Sequence, residues 1–272
     1  MMSRAAGSQE PPRSRMPFTI SHAAAVLPFR KLNLVWSAFI IGSMAPDFPY
    51  VVGSTYYRDI GHNFPGLVWF TVPASVVGLW LYHNVFKQPV TELLPASVQA
   101  RLVAHNGRFS FGGAARFAAI LGSILLGIAT HLIWDSFTHA FTWPWREFAM
   151  LRERLSIPLL GAVPGYAALQ YASSVLGMLA LAVWVWLWYR DSGATVPSVA
   201  PSQSRFPLAL AMFAVAALAG LARAMLLVGA PVNRGTADVF MLVFGVTAFA
   251  LAFWELLFYC VLVSTHQVWT LG

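Results

Sequence analysis

Five long apolar runs constrain this chain more than any other feature of its sequence. They cover about residues 64–86, 112–135, 166–189, 206–230 and 237–264. A helix needs about 20 mostly apolar residues to cross a hydrocarbon core of about 30 Å, and each run is at least that long. The sequence therefore predicts an all-α, polytopic integral membrane protein, folded as a helical bundle with five full spans.

The composition excludes a soluble globular domain. Of the 272 residues, 58% are hydrophobic and 10% are charged, whereas about a quarter of the residues are charged in an ordinary soluble domain. Seventeen Lys and Arg against ten Asp and Glu give a formal net charge of +7. Because the basic residues lie in short loops beside apolar runs, without a recognition motif, the expected partner is a membrane lipid surface and not nucleic acid.

The segment before the first run is the ambiguous part of the topology. It is apolar over much of residues 21–46, but it is interrupted by Pro28, Arg30, Lys31 and Asn33. Two short helices over residues 22–29 and 34–45, folded as a re-entrant hairpin, fit this pattern, and a single sixth span over residues 22–45 is the alternative. The two topologies distribute the basic loops differently, so the charge count leaves the orientation in the membrane open.

Three regions follow from this division of the chain. Residues 1–15 are polar and lack the apolar region of a signal peptide, so we expect them to be a disordered extension. Residues 16–165 hold most of the ionisable groups near apolar runs and form the candidate metal-site domain. Residues 166–272 form a C-terminal region with three spans and few polar groups.

Ionisable side chains within or beside spans are costly to desolvate, and each is therefore a candidate for function. In this chain they are concentrated in the first half: His22, Asp47, His62, His131, Asp135 and His139. The last three are spaced four apart in the string THLIWDSFTH, which places them on one face of a helix. Four residues rise about 6 Å, so His131 and Asp135 can share one ion. His139 then suits a second ion or an outer role.

In the hairpin topology all six side chains lie at one membrane surface. Imidazoles and carboxylates are ligands for zinc, manganese or iron, and carboxylates favour the harder ions. The sequence therefore predicts a divalent metal site, with zinc or manganese as the leading ions. The alternative is a structural cluster in which these groups only form hydrogen bonds between helices.

Two further roles complete the predicted site. His139 and Asp47 are the candidates for proton transfer. Arg223 lies about 10 Å from the end of its span, counted as seven residues of helix, on the side of Asp135. Its guanidinium is predicted either to bind a substrate phosphate bidentately or to extend to the lipid headgroups.

The residues resemble a known family. MPFTISHAAAVLP at 16–28, IGSMAPDFPY at 41–50, HNFPG at 62–66 and HLIWDSFTH at 131–139 are similar to the bacterial membrane proteins of the domain of unknown function 4184 family. More distantly, an early His, a Pro-Asp after a short helix, another His and a helical H-x3-D resemble the membrane-bound metal-dependent hydrolases and the zinc-dependent phospholipases C. This distant resemblance implies the metal ligands His22, Asp47, His62, His131 and Asp135. The extra His and Glu pair of the three-metal phospholipases is missing, which implies a mono- or dinuclear site.

The function predicted from these features is hydrolysis of a lipid-borne or amphiphilic ester, with a phosphoester first, by metal-activated water in the bacterial cytoplasmic membrane. A transporter or ion channel is one alternative, although the polar residues do not follow a path through several spans and no internal repeat is visible. A non-catalytic membrane scaffold is the other. The substrate and the oligomeric state stay open.

Overall fold

The computed structural model describes residues 19–53, 58–102, 109–158, 161–193 and 204–270. Within these residues, five helical segments are long and apolar enough to cross a membrane. Spans 1 to 5 are, in order, Phe64–Glu92, Ala114–Glu147, Gly165–Asp191, Phe206–Val228 and Gly235–Ser264. These segments confirm the predicted all-α fold with five spans. The predicted extension over residues 1–15 lies outside the described residues.

The helices and strands outside the spans are short. The helix of span 5 also continues beyond its span, to Thr270. Before span 1 the chain forms a 3-10 helix at Thr19–Phe29, an α-helix at Trp36–Met44, a second 3-10 helix at Ala45–Val52 and an α-helical turn at Arg58–His62. Short helices at Ala96–Leu102 and Ala149–Arg152 lie between the spans, and the short helix Trp143–Glu147 forms the end of span 2. The long helix of span 2 is Ala114–Thr138, and that of span 5 extends over Arg234–Thr270.

The N-terminal segment folds as two separate short helices and not as one helix over residues 22–45. The first begins at Thr19, three residues before the predicted start, and it is a 3-10 helix. The second ends at Met44, because Pro46 has no N–H to donate to the Gly42 carbonyl, which accepts a hydrogen bond from the Ala45 N–H instead. The chain then continues into the 3-10 helix Ala45–Val52, so Asp47 lies in a first helical turn and not in a loop.

Span 1 is an irregular helix. Asn63 caps its start, since its side-chain oxygen accepts a hydrogen bond from the Gly66 N–H at 2.8 Å. Wider π-helical turns at Leu67–Thr71 and Tyr82–Phe86 interrupt the α-helix. Each turn precedes an α-helical segment with a proline near its start, and a proline removes one backbone donor from the regular ladder.

The core lies between the Trp36–Met44 helix and spans 1 and 2. Its buried residues are Ala38, Leu79, Ile120, Ile124 and Ile128. The Trp36–Met44 helix approaches span 2 closely through glycines on both sides. A methyl group at Gly42 would lie 2.9 Å from the Ile124 Cα, and one at Gly127 would lie 2.6 Å from the Ser43 nitrogen. This close approach brings the backbone of Ser43 to span 2, one helical turn before His131.

Gly127 provides the first testable prediction. We expect Gly127→Ala to lower the free energy of unfolding by about 1–3 kcal/mol, because the added methyl group forces two packed backbones apart. Gly122 lies on the same helix with nothing within 4 Å of an added methyl group. Gly122→Ala is therefore the matched control, and we expect it to be neutral or stabilising by about 0.5–1 kcal/mol. Thermal unfolding in detergent measures both variants, and equal midpoints would contradict the packing argument.

A short β-hairpin after span 2 was not predicted. Strand Arg154–Ile157 pairs antiparallel with strand Gly161–Pro164, with Arg154 opposite Pro164 and Ile157 opposite Gly161. Strands of four residues are too short to show a reliable alternation of apolar and polar residues. The hairpin leads directly into span 3.

The last two spans pack along each other. A methyl group at Gly220 of span 4 would lie 2.8 Å from the Phe244 carbonyl oxygen of span 5. Span 3 instead packs against the N-terminal 3-10 helix, where a methyl group at Gly177 would lie 3.0 Å from the Ser21 Cβ. The N-terminal helices are thereby held between spans, beside the polar end of span 2.

Candidate metal centre

The six predicted side chains meet in one place, although they come from different elements. The 3-10 helix Thr19–Phe29 carries His22, and the 3-10 helix Ala45–Val52 carries Asp47. The turn Arg58–His62 ends with His62, and the last two turns of Ala114–Thr138 carry His131 and Asp135, directly before His139. Two overlapping groups have ligand atoms within 4.8 Å of one another: His22, His131 and Asp135, and Asp47, His62 and His131.

A close contact between glycine and backbone brings His62 to Asp47. A methyl group at Gly61 would lie 2.7 Å from the Pro46 carbonyl carbon, so the Arg58–His62 turn packs directly on the residue before Asp47. Only glycine permits this approach. The APD and GH segments are therefore neighbours in space, because Gly61 has no side chain to keep the two backbones apart.

The centre of the cluster is a triangle of three potential ligand atoms. His62 Nε2 lies 3.3 Å from His131 Nε2 and 3.3 Å from Asp135 Oδ2, and His131 Nε2 lies 3.5 Å from Asp135 Oδ2. Ligands at about 2.1 Å from a tetrahedral zinc ion are about 3.4 Å apart. The triangle therefore has the dimensions of one face of such a coordination sphere.

Asp47 supplies a fourth oxygen beside this triangle. Its Oδ2 accepts a hydrogen bond from the Thr19 hydroxyl at 2.8 Å. Its Oδ1 lies 3.8 Å from His62 Nε2 and 3.9 Å from His131 Nε2. Asp47 is 1% exposed, and Oδ1 accepts no hydrogen bond from the residues that the structure describes. A buried carboxylate oxygen is costly without compensation, and a cation between these atoms would supply it.

The backbone of Ser43 fixes the orientation of His131. His131 is fully buried, and its Nδ1 lies 2.9 Å from the Ser43 carbonyl oxygen. A carbonyl only accepts, so Nδ1 carries a proton and donates it, and Nε2 faces the triangle. Hydrogen bonds from the outer nitrogen to a backbone carbonyl are typical of metal-binding histidines.

His22 faces the other oxygen of Asp135. Its Nε2 lies 3.4 Å from Asp135 Oδ1, and its ring stacks on that of His131 with the centroids 4.0 Å apart. Burial, followed by the nearby His131 imidazole, lowers the pKa of His22 to about 4. His22 is therefore neutral near pH 7, which is the form of histidine that can bind a metal ion.

His139 lies at the more exposed edge of the cluster. Its Nδ1 lies 2.9 Å from the Asp135 carbonyl oxygen and 3.7 Å from Asp135 Oδ2. The hydrogen bond to the carbonyl places the proton on Nδ1 and leaves Nε2 as the basic nitrogen. The side chains of His139 and His62 are 14% and 15% exposed, whereas the Asp47, His131 and His22 side chains are at most 3% exposed. The cluster is therefore accessible from the side of His62 and His139.

Comparison with known families identifies the chain. The family described as domain of unknown function (DUF4184) matches residues 16–261, which is most of the 272-residue sequence. The chain belongs to the DUF4184 family. No curated protein and no solved structure matches it.

The DUF4184 match confirms the resemblance that the motifs indicated and extends it from about residue 140 to residue 261. Spans 1 to 4 and most of span 5 are therefore part of the family's region. The more distant resemblance to metal-dependent hydrolases and phospholipases stays a prediction.

In this DUF4184 chain, Arg223 is not part of the cluster of His and Asp residues. Arg223 lies on span 4, is exposed and not buried, and donates a hydrogen bond to the Thr247 hydroxyl of span 5 at 3.1 Å. The role of Arg223 in substrate binding stays a prediction.

Two groups of the DUF4184 site were missed by the sequence reasoning. Thr19 positions Asp47, and the Ser43 carbonyl positions His131. The signal for Thr19 is its spacing of three residues from His22, which places both on one face of a helix, but the predicted helix began at His22 and left Thr19 outside it. No sequence signal marks the Ser43 carbonyl, because every residue carries one.

Proposed function

We propose that this DUF4184 protein is an integral-membrane, metal-dependent hydrolase that acts on a lipid-borne or amphiphilic phosphoester. The observation that carries the proposal is the triangle of His62 Nε2, His131 Nε2 and Asp135 Oδ2, with edges of 3.3 to 3.5 Å. The fourth oxygen, Asp47 Oδ1, supports it. Three potential ligands from two elements lie at the spacing that a single divalent ion requires, and Asp47 Oδ1 lies 3.8 Å from His62 Nε2.

The donor set suits zinc or manganese. It contains neutral imidazoles and carboxylates, which both ions accept, and it contains no thiolate. A bound divalent ion would lower the pKa of a coordinated water and polarise a phosphoryl oxygen of the substrate.

The chain's own residues divide the remaining work between binding and proton transfer. His62, His131, Asp47 and Asp135 hold the ion, and His22 shares the second oxygen of Asp135. Asp47 was also a candidate for proton transfer, but Thr19 fixes one of its oxygens and the other faces the imidazoles, which favours the ligand role. His139 is the proposed general base, because its ring lies at the more exposed edge of the cluster and its Nε2, although buried, carries the lone pair.

The surroundings of the cluster favour an amphiphilic substrate. The two accessible histidines, His62 and His139, are each followed within four residues by large exposed aromatic side chains. Phe64 is 79% exposed and Trp143 is 67% exposed. Aromatic residues of this kind are concentrated at membrane–water interfaces. A substrate that approaches the cluster from this side meets an apolar rim before it meets the polar groups.

The experiment that tests the proposal compares metal-free and metal-loaded protein. The full chain is purified in detergent, treated with a chelator and reloaded with zinc or manganese. It is then incubated with phosphatidylglycerol in mixed micelles, and the products are measured by mass spectrometry. We expect hydrolysis to fall by about 100-fold or more without metal and to return on reloading, since a metal ion supplies several kcal/mol of transition-state stabilisation.

A carboxylic ester lipid with the same acyl chains serves as the comparison substrate, and it distinguishes phosphoester from carboxylic ester hydrolysis. Folding of the stripped protein is monitored by circular dichroism. Hydrolysis at an unchanged rate in folded, metal-free protein would contradict the proposal, as would folded protein that takes up neither ion.

A further inference from the structure

A second site lies outside the metal cluster, in a groove between the N-terminal 3-10 helix and the second half of span 3. The groove has a volume of about 700 Å³, which is within the range of about 300–1,000 Å³ found for small-molecule sites. Most of its wall is apolar and includes Leu27 on one side and Ala180, Val183 and Trp184 on the other. The three residues of span 3 are exposed, so the groove opens on the outer surface of the bundle.

Two cations line the same groove. Arg30 and Lys31 follow the end of the 3-10 helix at Phe29 and are both exposed. Their side chains form no ion pair or hydrogen bond with any residue that the structure describes. By contrast, Arg190, on the same span as Val183 and Trp184, is paired with Asp191 at 2.7 Å. The positive charge of Arg30 and Lys31 is therefore available to a ligand.

The groove is separate from the metal cluster. Its lining begins at Ala24 and Ala180, and one turn earlier Gly177 packs against Ser21, beside His22. This contact closes the groove toward the cluster. From His22 to Arg30 the 3-10 helix rises about 16 Å, at about 2 Å per residue. A ligand with its charged group on Arg30 and Lys31 therefore cannot present that group to the metal ligands.

We propose that this groove binds one anionic phospholipid. The phosphate lies against Arg30 and Lys31, whose donors suit phosphate oxygens. An acyl chain lies along Leu27, Ala180, Val183 and Trp184, where its burial is favoured by apolar contact. Charge selects the occupant: a zwitterionic lipid carries its own cation next to its phosphate and gains less from two uncompensated cations in the protein. This site does not depend on the proposed hydrolase function.

The test uses native mass spectrometry of the full chain in detergent. Phosphatidylglycerol and phosphatidylcholine with identical acyl chains are added in equal amounts. We expect the unchanged chain to retain one phosphatidylglycerol in preference to phosphatidylcholine. In the double variant Arg30→Gln, Lys31→Gln we expect the ratio of bound phosphatidylglycerol to phosphatidylcholine to fall by about 30-fold, because each cation near an anionic lipid contributes about 1 kcal/mol.

A second variant tests the apolar wall. Ala180→Phe fills the groove and displaces part of the acyl chain. We expect it to lower phosphatidylglycerol retention about tenfold, because burial of two methylene groups strengthens binding by about that factor. Ala182→Phe, two positions along the same helix and outside the lining, is the matched control, and Arg190→Gln is the control for charge. We expect both controls to retain phosphatidylglycerol as the unchanged chain does.

Three outcomes would overturn the proposal. The first is an unchanged chain without preference between the two lipids. The second is a double variant of Arg30 and Lys31 that keeps the original ratio while its thermal midpoint is unchanged. The third is displacement of phosphatidylglycerol by an equal concentration of glycerol phosphate, which would make this an anion site without a role for the acyl chain.

Discussion

Replacing His131 and Asp135 together by alanine is expected to reduce the metal content of the purified chain from about one ion per chain to less than about one tenth of that value. These two residues supply two corners of the triangle, and they come from the same helix face. Loss of an outer partner of a metal ligand already lowers metal affinity by about 10- to 100-fold. Loss of two ligands leaves only His62 and Asp47, which cannot hold an ion through purification.

The measurement is inductively coupled plasma mass spectrometry on protein that has been freed of excess metal. His83→Ala is the matched control. His83 is also a histidine within a span, but its Nε2 lies 2.8 Å from the Ser37 hydroxyl and its ring stacks on Phe109. We expect His83→Ala to retain the ion. If the unchanged chain is folded but contains no metal, the proposal of a metal centre is wrong. That result would favour a membrane scaffold in which the polar cluster is structural.

The second large effect is expected at His139. We expect His139→Ala to lower kcat for the phosphoester by about 100- to 10,000-fold, which is the usual contribution of a general base. The hydrogen bond of His139 goes to the backbone of Asp135 and not to the triangle. The metal content of this variant should therefore equal that of the unchanged chain.

The pH dependence of the rate separates a base from a structural residue. A general base that accepts a proton at Nε2 adds an ascending limb to the pH profile of kcat/KM, and His139→Ala should remove that limb. His139→Gln, which keeps a polar group of similar length, should not restore it. A variant that loses both activity and metal would show that His139 is a ligand, and one that keeps its rate would show that it has no part in the reaction.

The two proposed sites lie in different parts of the molecule. The metal cluster lies where the N-terminal helices meet the end of span 2, beside exposed aromatic residues. The groove with Arg30 and Lys31 lies along span 3, on the far side of the contact between Gly177 and Ser21. Because the residues involved do not overlap, variants of one site can serve as controls for the other.

The sequence predicted the spans well, because length and hydropathy are local properties. Runs of more than 20 apolar residues can be counted directly, and the described spans differ from the predicted ones mainly at their ends. The irregular elements were harder. The 3-10 form of Thr19–Phe29 and the β-hairpin after span 2 depend on contacts with neighbouring elements, and neither has a strong periodic signal.

The candidate residues of the site could also be identified from the sequence. Few ionisable residues lie beside apolar runs, and the helical spacing of His131 and Asp135 places them together without any knowledge of the fold. The distances between the side chains of the site could not be predicted from the sequence. They depend on Gly61 against Pro46 and on Gly127 against Ser43, where two backbones approach because no side chain intervenes. The exposure of Arg223 likewise depends on which face of span 4 is covered.

By itself, the sequence determined that this protein is a helical membrane bundle, which residues are candidate ligands for a cation, and that His131 and Asp135 share a helix face. These are consequences of composition and of the helical repeat, and they hold for any packing of the spans. The tertiary structure alone decided that His22, Asp47 and His62 reach His131 and Asp135, and that Thr19 and the Ser43 carbonyl orient them. The physical reason is that contacts between residues far apart in the sequence, such as His22 and Asp135, depend on how closely the helix backbones pack, and a periodic pattern carries no information on that.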